Sequence, residues 1–355
     1  MPRSSKKKQV TRRQRFVAII KKPFIAIKAS AVDFMARRPH RSFRLSRRRD
    51  YDRSLKLPGY FAFTHQVNKT IRQHKKIFIW LAVVYALLTT ILVGVGSQET
   101  YKTLTDTLQE TASNIFDGNV GQLGQAAILF ISIGTSGLSA APTEAQQIYI
   151  VLVGLLIWLT TVWLLRNLLA GHKVKLRDGL YSAGSPIIAT LLVSVVLVVQ
   201  LIPAALAVIG YSAASSTGLL ASGVAAMLFW FAAILLVVVS MYWITSTFFA
   251  LIIVTLPGMY PLRALKTAGD MVIGRRLRIL LRILWMFAAV ILSSAVILIP
   301  TILITAGLTN LWPAIGAVPI VPTVLMLVSV CAFIWSTSYI YLLYRKVVDD
   351  DAKPA

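Results

Sequence analysis

Residues 219–282 read LLASGVAAMLFWFAAILLVVVSMYWITSTFFALIIVTLPGMYPLRALKTAGDMVIGRRLRILLR. A long apolar run meets a break at Pro257–Gly258. A short polar segment follows, then the basic cluster Arg275, Arg276 and Arg278, and then apolar residues resume. A lipid bilayer imposes this order: an apolar helix, a break at the water boundary, Lys and Arg on the cytoplasmic side, and a return. The reading decides the fold class.

Outward from that stretch, the 355-residue chain is 57% hydrophobic, with a mean hydropathy of +0.72. Several runs exceed the roughly 20 residues needed to cross about 30 Å of hydrocarbon. The expectation is an all-α, polytopic transmembrane helical bundle. A membrane barrel would show alternating segments of about ten residues, and the chain has none. Crossings are expected near residues 77–96, 148–169, 186–211, 219–246, 279–302 and 322–344. The apolar piece GQAAILFISIGTSGLSA, residues 124–140, is short and interrupted by glycine. If it crossed, every later basic loop would face outward. It therefore reads as a re-entrant or half-buried helix, shielded by the bundle as non-helical backbone at that depth must be.

The formal net charge is +24 and is unevenly spread. Residues 1–76 hold 23 of the 37 Lys and Arg but only 3 of the 13 Asp and Glu. Three regions follow: a basic arm over 1–76, a transmembrane domain over 77–348 and a tail over 349–355. The positive-inside rule places the arm and the tail in the cytoplasm. Segment 97–147 then lies outside and is acidic, while segments 170–185 and 258–278 return inside and are basic. The expected location is the cell (inner) membrane, multi-pass, with both termini cytoplasmic. A signal peptide would bring its apolar stretch earlier, so no cleavage is expected.

Within the arm, Phe16, Ile19, Ile20, Phe24, Ile27, Ala31 and Phe34 recur at helical spacing among Lys21, Lys22 and Lys28. That pattern suits a helix lying on an anionic membrane surface. YFAFTHQVNKTIRQHKK, residues 60–76, reads as a second interfacial helix leading into the first span. The arm's charge fits three roles: attachment to anionic lipid, a topological signal, or contact with nucleic-acid phosphates. Its aromatics sit on apolar faces and form no stacking platform, which argues against nucleic acid. A protein partner could use the same arm.

Patterns that carry chemistry are missing. No P-loop, HExxH or GxSxG occurs. The four His are scattered, and His65 and His74 have no carboxylate or Cys at ligand spacing. No metal, cofactor or enzymatic activity is therefore expected. Cys331, the only cysteine, lies in an apolar run and reads as a packing residue. The spans carry no ionisable residue near mid-depth, and Arg166 and Arg282 sit near the inner ends. Gln200, Ser240, Ser293 and Ser294 are the polar groups that could line a cavity, although such groups usually satisfy interhelical or backbone bonds.

Two inner segments resemble one another: LRDGLYSAG at 176–184 and LRALKTAG at 262–269. Each follows a span running inward and precedes one running outward. This is the pattern of a parallel internal repeat. The second copy, PLRALKTAGDMVIGRRLRIL, resembles the integral-membrane domain of glycerophosphodiester phosphodiesterases and its stand-alone multi-span relatives. Ala264, Leu265, Met271, Gly274 and Arg275 match that pattern, which the chain leaves at Ala268 and Gly269. Leu343, Tyr344 and Arg345 match the family's closing segment. The resemblance implies a six-span helical domain, attached in some relatives to a catalytic barrel. Such a barrel takes about 250 residues, for which this chain has no room.

The repeat groups the loop cations. Arg166, Lys173, Lys175 and Arg177 belong to one inner loop, and Arg263, Lys266, Arg275, Arg276 and Arg278 to the other. Paired basic loops at the inner leaflet can hold an anionic lipid headgroup. The leading expectation is a non-enzymatic membrane protein that binds anionic lipid in a scaffold or envelope-organising role. The alternative is a transporter of a lipid or small solute that uses the repeat interface and the dip at 124–140. Substrate and oligomeric state leave no pattern in the sequence.

Overall fold

A computed structural model describes residues 57–93, 143–217, 223–312 and 318–351. The amphipathic stretch at 16–36, the apolar dip at 124–140 and the last residues of the tail lie outside them. The described chain forms α1 (Tyr60–Gln73), α2 (Lys75–Leu92), α3 (Glu144–Leu169), α4 (Leu176–Ala183), α5 (Ile187–Ser216), α6 (Gly223–Ile253), α7 (Pro261–Val272), α8 (Arg276–Leu311) and α9 (Ile320–Asp351). Six of these, α2, α3, α5, α6, α8 and α9, are long and apolar enough to cross a membrane. The chain is a multi-pass integral membrane protein with an all-α fold. The sequence placed each span close to where it lies; α5, α6, α8 and α9 run further at their C-terminal ends than expected.

Local chemistry sets the boundaries. Thr143 caps α3: its hydroxyl accepts from the Gln146 N–H at 3.3 Å, and Gln146 Oε1 accepts from the Thr143 N–H at 2.9 Å. This reciprocal pair satisfies two otherwise orphaned donors. At the other end of α3, Gly171 has φ +82°. There the His172 N–H donates to Asn167 O and the Gly171 N–H to Leu168 O. This double bond pattern ends a helix by turning one residue left-handed, which glycine does without steric cost. Gly274, with φ +81°, makes the tight turn between α7 and α8.

The spans then arrange themselves in a recurring order. A short helix, a span leaving the basic end and a span returning to it appear three times: α1–α2–α3, α4–α5–α6 and α7–α8–α9. Each short helix packs on the returning span of the unit before it: α4 on α3, α7 on α6 and α1 on α9. Each leaving span also packs on that preceding returning span: α5 on α3, α8 on α6 and α2 on α9. The neighbour relations are cyclic, and the third unit closes back onto the first without a covalent link. The likeness between 176–184 and 262–269 is the sequence trace of two of these three short helices.

The core lies toward the basic end. It joins Phe63 and Val67 of α1, Leu81 and Tyr85 of α2, Leu159 and Leu165 of α3, Phe249 and Ile253 of α6, Ile279 and Ile283 of α8, and Tyr339 and Leu343 of α9. A smaller cluster of Ala86, Leu298, Leu325 and Met326 joins α2, α8 and α9 farther along. By contrast α5 and the first half of α6 expose apolar side chains widely, among them Ile188, Val198, Met227, Phe231 and Leu235. Helices apolar on every side belong in hydrocarbon.

Polar groups on the spans are tied up locally. Pro203 interrupts α5, and the Ala204 N–H donates instead to Ser240 Oγ of α6 at 3.0 Å. Thr301, Thr305 and Thr309 of α8 each donate to the carbonyl four residues back, at 2.7 Å. Hydroxyls satisfied in this way cost little in lipid.

Candidate functional site

Every Lys and Arg among the described residues belongs to the end of the bundle formed by α1, α4, α7 and the neighbouring span ends. Their side chains fall into two groups. Some are turned into the protein. Arg166 of α3 donates to the Thr255 carbonyl at 3.1 Å and to its hydroxyl, crossing to the segment after α6. Arg275 is buried, with a guanidinium nitrogen 3.5 Å from an Asp350 carboxylate oxygen, so it ties the start of α8 to the end of α9. Arg276 lies over the Tyr242 ring at 3.8 Å and donates to the Tyr242 carbonyl at 3.1 Å, fastening α8 to α6.

The others face out. Lys173, Lys175 and Arg177 are exposed around α4, Arg263 and Lys266 are exposed on α7, and Arg278 is exposed at the start of α8. The helices are built to present them. The buried face of α4 is Gly179 and Ala183, which leaves Arg177 and Tyr181 outward, Tyr181 91% exposed. The buried face of α7 is Ala264, Ala268 and Val272, which leaves Leu262, Arg263 and Lys266 outward. An outward face that mixes apolar and cationic side chains suits the boundary between headgroups and hydrocarbon. Of the nine loop cations singled out in the sequence, the structure thus turns Arg166, Arg275 and Arg276 into helix-to-helix contacts and leaves six exposed.

The four polar span residues also divide. Gln200 Oε1 accepts from the Thr247 hydroxyl at 2.6 Å, and Ser240 serves Ala204, so both join α5 to α6. Ser293 and Ser294 of α8 line a groove with α1, α2 and α9.

The sequence reading did not find the residues that hold α1. Arg282 of α8 is buried, donates to the Pro58 carbonyl and stacks over the Tyr60 ring at 4.1 Å. One turn on, Trp285 donates through its indole N–H to Thr64 Oγ1 at 3.0 Å and meets Phe61 edge-on at 4.8 Å. Trp335 of α9 donates to Asn68 Oδ1 at 2.7 Å. Arg282 and Trp285 stand three apart, on one face of α8. That spacing was the available signal, but Arg282 near a span end reads equally well as a snorkelling cation and Trp285 as a belt residue.

No family model, curated protein or solved structure matches the chain.

Proposed function

We propose that the chain is a non-enzymatic membrane protein of the cell (inner) membrane that engages anionic lipid headgroups at its basic end. The role we assign it is scaffolding or organisation of the envelope. The observation that carries this reading is the exposed set Lys173, Lys175, Arg177, Arg263, Lys266 and Arg278. Arg177, Arg263 and Lys266 stand on short helices whose outward faces are amphipathic, Lys173 and Lys175 lie just before α4, and Arg278 is in the first turn of α8. The charge asymmetry supports a cytoplasmic position for this end, and the basic arm would add to the same attraction.

Each such cation near an anionic surface contributes about 1 kcal/mol. The full chain purified from membranes should carry acidic phospholipid, read by native mass spectrometry. Replacing the six residues by Gln should lower the amount of acidic phospholipid carried while the six-span fold persists. Equal retention of acidic and zwitterionic lipid by the unaltered protein would refute the reading.

A further inference from the structure

We propose that the seam where the third unit closes onto the first holds a single anionic lipid, its headgroup at Arg72 and Lys75 and one acyl chain laid into the groove below. This rests on the anionic-lipid reading above and gives it a specific site. The groove has a volume of about 610 Å³, within the roughly 300–1,000 Å³ of small-molecule sites. Its walls are Phe78 and Ala82 of α2, Ala289 and Ile297 of α8, and Leu327 and Ala332 of α9. Its mouth is polar, formed by Thr64, Asn68, Arg72 and Lys75, and no Asp or Glu is among its described lining.

Two features select the occupant. The first is length. From Trp335 to Leu327 the groove follows α9 for eight residues, about 12 Å at roughly 1.5 Å per residue. Beyond that, Ala86, Leu298, Leu325 and Met326 pack together across α2, α8 and α9, where the groove's lining stops. A groove of this length approaches one leaflet, about half of the roughly 30 Å hydrocarbon core. It fits a lipid from the adjacent leaflet and is too short for a spanning helix. The second is charge at the open end. A polar cavity of about 450 Å³, lined by His65, Asn68, Lys69, Arg72 and Gln73, adjoins the groove and shares Asn68 and Arg72 with it. Lys69, Arg72 and Lys75 are all exposed there. A phosphate placed between Arg72 and Lys75 would accept charge-assisted hydrogen bonds, and a polar headgroup would extend toward His65 and Gln73.

Cys331 lies in the groove wall and is the chain's only cysteine, so it reports occupancy. The test uses the purified full chain in a zwitterionic detergent. Dioleoyl phosphatidylglycerol or dioleoyl phosphatidylcholine is added, and two signals are read: lipid adducts by native mass spectrometry and the rate of Cys331 alkylation by N-ethylmaleimide. The expected result is one tightly held phosphatidylglycerol that slows alkylation. The double variant Arg72→Gln with Lys75→Gln should weaken it roughly thirtyfold, from about 1 kcal/mol per cation. The conservative pair Arg72→Lys with Lys75→Arg should keep it.

Ala82→Trp fills the groove and should abolish both the adduct and the protection. Ser293→Phe fills it from an exposed position on α8 and serves if Ala82→Trp fails to fold. Phosphatidylglycerol retained by the filled variants but lost on neutralising Lys173, Lys175, Arg177, Arg263, Lys266 and Arg278 would overturn the groove and leave the surface reading standing. Phosphatidylcholine held and protecting Cys331 as well as phosphatidylglycerol would overturn the headgroup assignment. No lipid preference in any form would overturn both proposals.

Discussion

The short helices α4 and α1 occupy equivalent places in the ring and are held there by opposite means. α4 sits flush on α3 because the residue facing it is Gly179. A Cβ added at that position would lie 3.0 Å from Leu164 Cγ and Cδ2 and 3.3 Å from the Trp163 ring. α7 behaves like α4, with Ala264 and Ala268 fully buried on α6. α1 presents Phe63, Val67 and Thr70 instead. Phe63 meets Tyr339 edge-on at 4.8 Å, and polar bonds from Arg282, Trp285 and Trp335 do much of the holding. Small residues bring two backbones together. Large ones hold them apart, and beside α1 the spans leave the groove. Two seams are closed by close packing, and the third is closed by hydrogen bonds around a space.

The largest effect that separates the two designs should come from crowding a flush seat. Gly179→Leu gains about 1 kcal/mol of helix propensity, but it forces a branched side chain into Leu164 and Trp163. Overpacking of this kind costs about 1–3 kcal/mol, occasionally more. With the seat this tight, the net expectation is a loss of about 2 kcal/mol. Ala268→Leu, at the fully buried centre of α7, should lose a similar amount without the propensity gain. Both are read as a fall in the thermal midpoint of the detergent-purified protein. Midpoints that stay put would mean that α4 and α7 are not seated as described.

A smaller and more local effect is expected at the latch. Arg282→Met keeps much of the side-chain volume and removes the bond to Pro58 and the stack on Tyr60. A hydrogen bond from a charged donor contributes about 1.5–3 kcal/mol. Part of that loss is offset because a buried cation is no longer desolvated. The consequence should be faster amide hydrogen exchange confined to α1, with α4 and α7 unchanged. Acceleration spread evenly over the three short helices would contradict a separate latch.

How much of this the sequence disclosed follows the same division. Spans are legible because bilayer thickness imposes a length on apolar runs, and all six lie close to their expected places. The likeness of α4 and α7 was legible too, because flush seating demands small residues at fixed positions, and the matching alanines Ala183 and Ala268 are both buried. The third short helix was legible as the interfacial helix expected over 60–76, and α1 lies there; its kinship with α4 and α7 escaped, since Phe63 and Val67 break the small-residue pattern that identifies the other two. The exposed cations Lys173, Lys175, Arg177, Arg263, Lys266 and Arg278 were visible as loop charge. Burial of Arg275 against Asp350 was not, because those residues are far apart in the chain and a basic loop next to a span suggests topology first. Ser293 and Ser294 were visible as polar residues on a span, but the groove they line depends on how α8 meets α1, α2 and α9.

The finest probe of the contrast is the bond between Trp335 and Asn68. Trp335 packs on Tyr339 with ring centroids 5.4 Å apart, so Trp335→Phe keeps an aromatic ring there while deleting the indole donor. Asn68→Ala removes the acceptor. Each single change also leaves the other partner unsatisfied or shifts local packing, so neither isolates the bond. A double-mutant cycle does, because effects of independent sites add and only the shared interaction remains. The coupling should be about 1 kcal/mol, the usual net contribution of a neutral hydrogen bond. Coupling near zero would mean that this bond does not hold α1, and the distinction between a packed seam and a latched one would fall.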